Sequence, residues 1–150
     1  MKILVSVGTT KYDSLISYID SKPYFDALAI EFQIANGKYI PQKHPYFTFL
    51  ESADIIKKYE EADIAITHAG AGTIYKLLEM GKKIIVVPNL ERIDKHQLDI
   101  SDFLLKNQYA LVAYSMTQLE LFVDIIQNYD FKTFIKEDFF KTNEIINYIL

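Results

Sequence analysis

Ile64-Ala65-Ile66-Thr67-His68-Ala69-Gly70-Ala71-Gly72-Thr73 is the stretch on which the fold is decided. Its opening residues extend an apolar run, Asp63 to Thr67, of the length and β-branched character of a strand buried on both faces. The run passes through a glycine turn into Thr73 to Met80, which has a helical period and stops at Gly81, the expected C′ residue. Three of the chain's five glycines lie between Gly70 and Gly81. Glycine lets backbone approach a ligand closely, and a helix start offers unpaired N–H groups with about half a positive charge. A diphosphate fits such a place without a metal. Thr73 adds a hydroxyl, and His68 stands at the carboxyl end of the strand, where ligands bind in open α/β sheets. A plain strand-to-helix turn beside a structural histidine is the competing reading of the same residues.

The pattern repeats on either side. Lys2 to Val7 is another buried strand, followed by Gly8-Thr9-Thr10 and a helix with Leu15, Ile16, Ile19 and Phe25 inward, Asp13 or Ser14 near its start and Pro23 at its end. Two such loops at one sheet edge make opposite walls of a crevice. Ala29 to Ala35 reads as a strand closed by the turn pair Asn36-Gly37, and Lys38 to Phe47 as a loop leading to a short strand, Phe47 to Leu50. Helices are expected over Asp54 to Glu61, Asp94 to Asn107 and Thr117 to Asn128. Further strands are expected over Lys83 to Val87, before Pro88, and over Ala110 to Tyr114. This alternation implies an α/β fold, a doubly wound and mainly parallel sheet with helices on both faces. Residues 1–130 form the domain. Residues 131–150, with Phe134, Ile135, Phe139, Phe140, Ile145, Ile146 and Tyr148 at mostly helical spacing, form its helical tail, packed on the sheet or used as a partner interface.

A chain of 150 residues, half apolar and 14% aromatic with only nine Gly and Pro, has material for one compact core. Twenty acidic against sixteen basic side chains, the lysines scattered, leave no basic stripe for a nucleic acid. The absence of cysteine excludes disulfides, thiolate zinc sites and cysteine nucleophiles, and agrees with a cytoplasmic location. No uncharged stretch approaches the roughly 18 to 20 residues of a spanning helix, so any work at a membrane requires another anchor.

Beyond the strand ending at Pro88, Asp94-Lys95-His96-Gln97 opens a helix. An acid, an imidazole and an amide beyond a strand end suit the hydroxyls of a sugar. Alternatively, Asp94 is the N-cap and Gln97 completes a capping box. Glu60, Glu61, Glu51 and Asp54 read as solvated helix ends. No Asp-x-Asp occurs, so a metal-bound sugar-nucleotide site of that type is absent.

Ser6 to Thr10, His68 to Thr73, Ile84 to Pro88 and Asp94 to Gln97, in that order, resemble the donor-binding, carboxyl-terminal half of family 28 GT-B glycosyltransferases. The resemblance spans about Lys2 to Tyr114. It is closest to stand-alone donor subunits of two-component transferases, among them the one that forms dolichol-linked chitobiose and bacterial counterparts in exopolysaccharide and capsule synthesis. It implies that Gly8, Thr9 and Thr10 form a first phosphate loop, that His68, Gly70, Ala71, Gly72 and Thr73 form the diphosphate loop, and that Asp94, His96 and Gln97 contact the sugar. Many relatives carry a ribose-binding carboxylate three residues after this threonine; here that position is Lys76, which leaves Glu79, one turn later, as the substitute, or a weakened site.

The resemblance further implies a UDP-sugar donor, no metal or other cofactor, and a lipid-linked saccharide acceptor held by a membrane-anchored partner subunit. The chain would then be peripheral to the membrane through that partner, and alone it could form a homodimer. In that scheme His68 is the catalytic residue, donating a hydrogen bond to the leaving diphosphate rather than acting as general base. A non-catalytic enhancer of a partner transferase is the alternative, favoured by Lys76. An oxidoreductase or response-regulator-like module is disfavoured: no Gly-x-Gly-x-x-Gly follows the first strand, and no acidic phosphoacceptor pocket is evident.

Overall fold

The computed structural model describes residues 1–91 and 96–136. Its strands are β1 (Lys2–Ser6), β2 (Ala29–Gln33), β3 (Tyr46–Phe47), β4 (Ile64–Thr67), β5 (Lys83–Val86) and β6 (Leu111–Val112). Its helices are α1 (Asp13–Ser21), α2 (Ser52–Glu61), α3 (Ala71–Glu79), α4 (His96–Lys106) and α5 (Leu119–Ile125). The six strands lie in the order β3-β2-β1-β4-β5-β6, and every pairing is parallel. The expected α/β fold is therefore the observed one. Both edge strands have only two residues, which leaves little open backbone for unwanted pairing.

Alternation along β1 divides the core. Ile3 and Val5 point to the face covered by α1 and α5, where they meet Leu15, Ile16, Ile19, Leu119 and Val123. Leu4 points to the other face, with Tyr59 of α2, Ile74 and Leu77 of α3 and Leu104 of α4. Each such side chain, fully buried, contributes about 1.5–3 kcal/mol of transfer free energy.

Local chemistry sets the helix ends. Gly81 is at φ +68°, its N–H donates to the Leu78 carbonyl at 3.1 Å, and Lys82 N–H donates to the Leu77 carbonyl at 3.0 Å. This is a Schellman closure, and it satisfies two orphan carbonyls of α3. At the end of β2 the turn comes one residue before the expected pair Asn36-Gly37: Gly37 N–H donates to the Ile34 carbonyl at 3.0 Å, and left-handed backbone falls on Ala35 (φ 52°). Gly37 is needed because the Asp13 carboxylate leans on it and accepts Lys38 N–H at 3.1 Å. The third strand is also earlier than expected. Tyr46 and Phe47 pair with Phe32 and Gln33, whereas Thr48 turns its carbonyl to Ala35 N–H, and Phe49 and Leu50 leave the sheet for the surface.

Residues 131–135 are not the expected helix. They run as irregular chain along their own domain, with Lys132 N–H on the Gln108 carbonyl at 3.0 Å and Phe134 edge-on to Tyr109 at 5.6 Å. The rest of the expected tail, 137–150, lies outside the described residues. Among the described residues no helix is long and apolar enough to cross a membrane.

Asp20 anchors the loop that precedes β3. It is buried and accepts Tyr39 O–H and Gln42 N–H at 2.8 Å and Lys43 N–H at 3.1 Å. Burial works to raise its pKa, but those hydrogen bonds outweigh it and hold the carboxyl below the usual range. A depressed folded value means that Asp20 stabilises fully above its unfolded pKa, about 3.9, and loses that contribution as pH falls through the folded value. Asp20→Asn is expected to cost about 1–3 kcal/mol near neutrality. Urea unfolding across the acid range should show a flatter stability profile for the variant, and an unchanged slope would assign the acid sensitivity to other carboxylates.

Candidate functional site

The loops after β1, β4 and β5 meet at the carboxyl edge of the sheet, and the His68 ring is where the first two touch. A Cβ built on Gly8 would lie 2.7 Å from His68 Nε2 and 3.5 Å from Thr73 Oγ1. One built on Gly70 would collide with Cε1 of the same ring and lie 2.8 Å from its Nε2. The imidazole therefore fills the space left by two missing side chains, which explains both glycines at once. Gly8 is also at φ +68°, a conformation that side chains disfavour.

Behind the ring, α3 begins uncapped. Gly70 is its N-cap with no side-chain hydrogen bond, and the first intrahelical bond runs from Ile74 N–H to the Gly70 carbonyl at 3.0 Å. The N–H groups of Ala71, Gly72 and Thr73 are thus the orphan donors of a helix start. Gly72 is exposed, and nothing lies within 4 Å of where its Cβ would be. The helix start offers N–H groups and the Thr73 hydroxyl at one place, with the positive end of the helix dipole behind them and His68 Nε2 buried between Gly8 and Gly70.

Three polar residues that sequence reading left unassigned hold the loops. Gln33 takes Ser6 Oγ–H, Val7 N–H and Gly8 N–H on its side-chain oxygen, at 2.9, 3.0 and 2.9 Å. Its Nε2 donates to the carbonyls of Gly8 at 2.7 Å and Thr48 at 2.9 Å. With the Gly8 N–H and carbonyl both engaged, the first loop reaches outward through Thr9 and Thr10. Tyr12 O–H donates to the Pro88 carbonyl at 3.0 Å; burial and, secondly, Glu91 push this phenol up to about 12, so it remains a donor at neutral pH. Buried Asn89 accepts Glu91 N–H at 3.1 Å and shapes the loop after β5. The available signal was a lone amide inside a buried run, Gln33 within Ala29 to Ala35, which must find partners.

Gln97, expected to contact the sugar, also holds the loops of the site together. Its oxygen accepts Asn89 N–H at 2.7 Å and Ala69 N–H at 3.3 Å, so it ties the loop after β4 to the loop after β5 from a buried position. That oxygen is engaged by two backbone N–H groups of the protein, and the capping box expected with Asp94 lies outside the described residues. His96 opens α4 with Nδ1 buried and without a partner among the described residues, and Asp94 lies outside them.

Glu79 is the clear correction. The nine residues of α3 span about 12 Å. They carry Glu79 to the opposite, amino edge of the sheet. There it lies 3.6 Å from Lys136 Nζ and lines a hollow of about 620 Å³ with Lys83 and Tyr109. It cannot replace the missing carboxylate at Lys76, which is exposed one turn nearer the loops.

An all-parallel sheet with this strand order and a glycine-flanked helix start at its centre is a Rossmann-like α/β domain of the GT-B glycosyltransferase type. The chain belongs to the glycosyltransferase family 28 C-terminal domain family, whose pattern matches residues 2–127. It is 32% identical over 112 residues to the human "UDP-N-acetylglucosamine transferase subunit ALG13", covering 66% of this chain and 10% of that protein. The subunit of the same name from Yarrowia lipolytica is 28% identical over 127 residues, covering 75% of this chain and 65% of that one. The chain thus spans from about a tenth to just under two thirds of these relatives' lengths. In fold it resembles the NMR structure of ALG13 (TM-score 0.63, 21% identity, 89% of this chain and 88% of that). It also resembles the crystal structure of Acinetobacter baumannii MurG (TM-score 0.63, 22% identity, 85% and 41%).

Proposed function

We propose that this chain is the donor-binding catalytic subunit of a two-component glycosyltransferase, taking a UDP-sugar at the carboxyl edge of its sheet and completing its active crevice with a second subunit. The observation that carries this reading is the uncapped start of α3, held against the His68 ring by Gly8 and Gly70. Orphan N–H groups, a dipole and an imidazole suit the charge that develops on a departing diphosphate, and they act without metal. The transferase relatives, named for N-acetylglucosamine, favour that sugar over the donors of exopolysaccharide or capsule synthesis. On this reading His68 serves the leaving diphosphate, and activation of a lipid-linked acceptor falls to the membrane-anchored partner. The chain is peripheral on this reading, docked on the cytoplasmic side through that partner.

Exposed Lys76 favours a second reading, a non-catalytic subunit that activates its partner and binds nucleotide poorly, because an ammonium cannot accept hydrogen bonds from a ribose diol. Thermal unfolding with UDP, UDP-N-acetylglucosamine, ADP and GDP separates the two. A ligand at about 100 times its Kd adds about 2.7 kcal/mol, a rise of several degrees at this size. Selective stabilisation by the uridine compounds is expected. No shift with any of them would favour the enhancer.

Gly72→Ala sharpens the test. With open space around it, the substitution should raise the unliganded melting temperature, since alanine in a helix is worth up to about 1 kcal/mol over glycine. It should also shrink the UDP-induced shift, because the new methyl stands where a phosphate would approach. An undiminished shift would move the ligand away from this helix start.

A further inference from the structure

We infer that Gln33 is a positioning residue of the nucleotide site, setting the orientation of the Gly8 peptide and, through it, of His68. This inference rests on the nucleotide-binding reading above. The Gln33 carboxamide is buried, with only 4% of the residue exposed, and makes five hydrogen bonds, three accepted by Oε1 and two donated by Nε2. A carboxamide has two donors and two lone-pair directions, so its capacity is filled.

The pattern of those bonds points to orientation. Gln33 binds Gly8 from both sides, accepting its N–H and donating to its carbonyl, and so holds the residue at φ +68°. That residue is the wall on which the His68 ring rests, and its Cα faces Thr73 Oγ1 as well. The remaining donor, on the Thr48 carbonyl, ties the same carboxamide to the loop after β3. A turn of the Gly8 peptide would displace the wall, the ring and the hydroxyl together. Buried amides that only satisfy a core would not be coupled to the site in this way.

Gln33→Met and Gln33→Glu in the full chain test the inference, with Asp20→Asn as a destabilised control remote from the site. Gln33→Met keeps the volume and removes all five bonds; Gln33→Glu keeps the acceptor and loses both donors. UDP dissociation constants are measured by calorimetry at a temperature where circular dichroism shows each variant folded. Gln33→Met should weaken UDP by at least about tenfold, equivalent to 1.4 kcal/mol, with Gln33→Glu between it and the parent. Asp20→Asn should stay within about twofold despite its lower stability. Equal affinities in Gln33→Met and the parent chain would overturn the inference.

A second readout does not depend on the ligand. Nitrogen-15 signals of the His68 imidazole should move in Gln33→Met and stay in place in Asp20→Asn; unmoved signals in both would overturn the inference. If the parent chain binds no UDP, that failure belongs to the proposed function, and the imidazole signals alone decide the role of Gln33. If Gln33→Met does not fold, Gln33→Glu carries both measurements.

Discussion

Gly70→Ala is expected to lower stability by about 1–3 kcal/mol, the range for overpacking a filled space, and to abolish nucleotide binding. The backbone itself does not object, since Gly70 has φ −86°. The cost comes from the new methyl meeting the His68 ring, which cannot swing away because Gly8 closes its other side. At this chain length each kcal/mol moves the melting temperature by about 2–4 °C, so a thermal scan resolves the effect. The mechanism has a stricter check. His68→Ala in the same chain removes the obstacle, so the double variant should recover most of the stability lost in the single one while still failing to bind nucleotide. Strictly additive losses would mean that the ring and Gly70 do not compete for the same space.

Gly8→Ala should be more damaging and should resist the same rescue. Two penalties combine here: about 1–2 kcal/mol for an L-residue in left-handed backbone, and about 1–3 kcal/mol for the methyl driven against His68 Nε2. The backbone cannot relax to a negative φ without breaking the bonds from Gly8 to Gln33 on both sides. Removing the ring through His68→Ala relieves only the second penalty. Denaturant unfolding of the single and double variants should therefore leave a residual deficit of about 1–2 kcal/mol at Gly8, absent at Gly70. A full rescue at both positions would show that sterics alone place glycine at residue 8.

Both predictions concern residues that the sequence marked out, for reasons it did not contain. Gly8 and Gly70 stood out as glycines in strand-to-helix loops, suited to a close ligand. The structure adds that the nearest obstacle at each is the same imidazole, 60 residues from one and two from the other, which no local pattern reveals. Glu79 shows the reverse case. Its place one turn after Lys76 made it a substitute for the carboxylate missing there, but it stands six residues past Thr73, about 9 Å along the helix axis. That rise takes the side chain to the far edge of the sheet, opposite Lys136.

Gln97 lies between these cases. Its place at the site follows from the motif it belongs to, yet its oxygen is committed to two backbone N–H groups from two loops. Whether an amide faces a ligand or the protein depends on which backbone donors the fold leaves beside it.

The sequence by itself determined what depends on neighbours along the chain: buried strands from short β-branched runs, helices from a 3.6-residue period, the Gly81 closure, and the alternation that forces parallel crossovers. Those are short-range consequences of sterics and of hiding apolar surface, and a linear pattern records them. Which loops touch was settled by the tertiary structure alone, because β1 and β4 begin at Lys2 and Ile64 and pair from Ile3 with Ile64, far apart along the chain, and sheet order is set by packing both faces at once. It likewise decided that Gln33, Asn89 and Gln97 serve the backbone of the site, since a buried amide takes whatever partners the assembled fold provides.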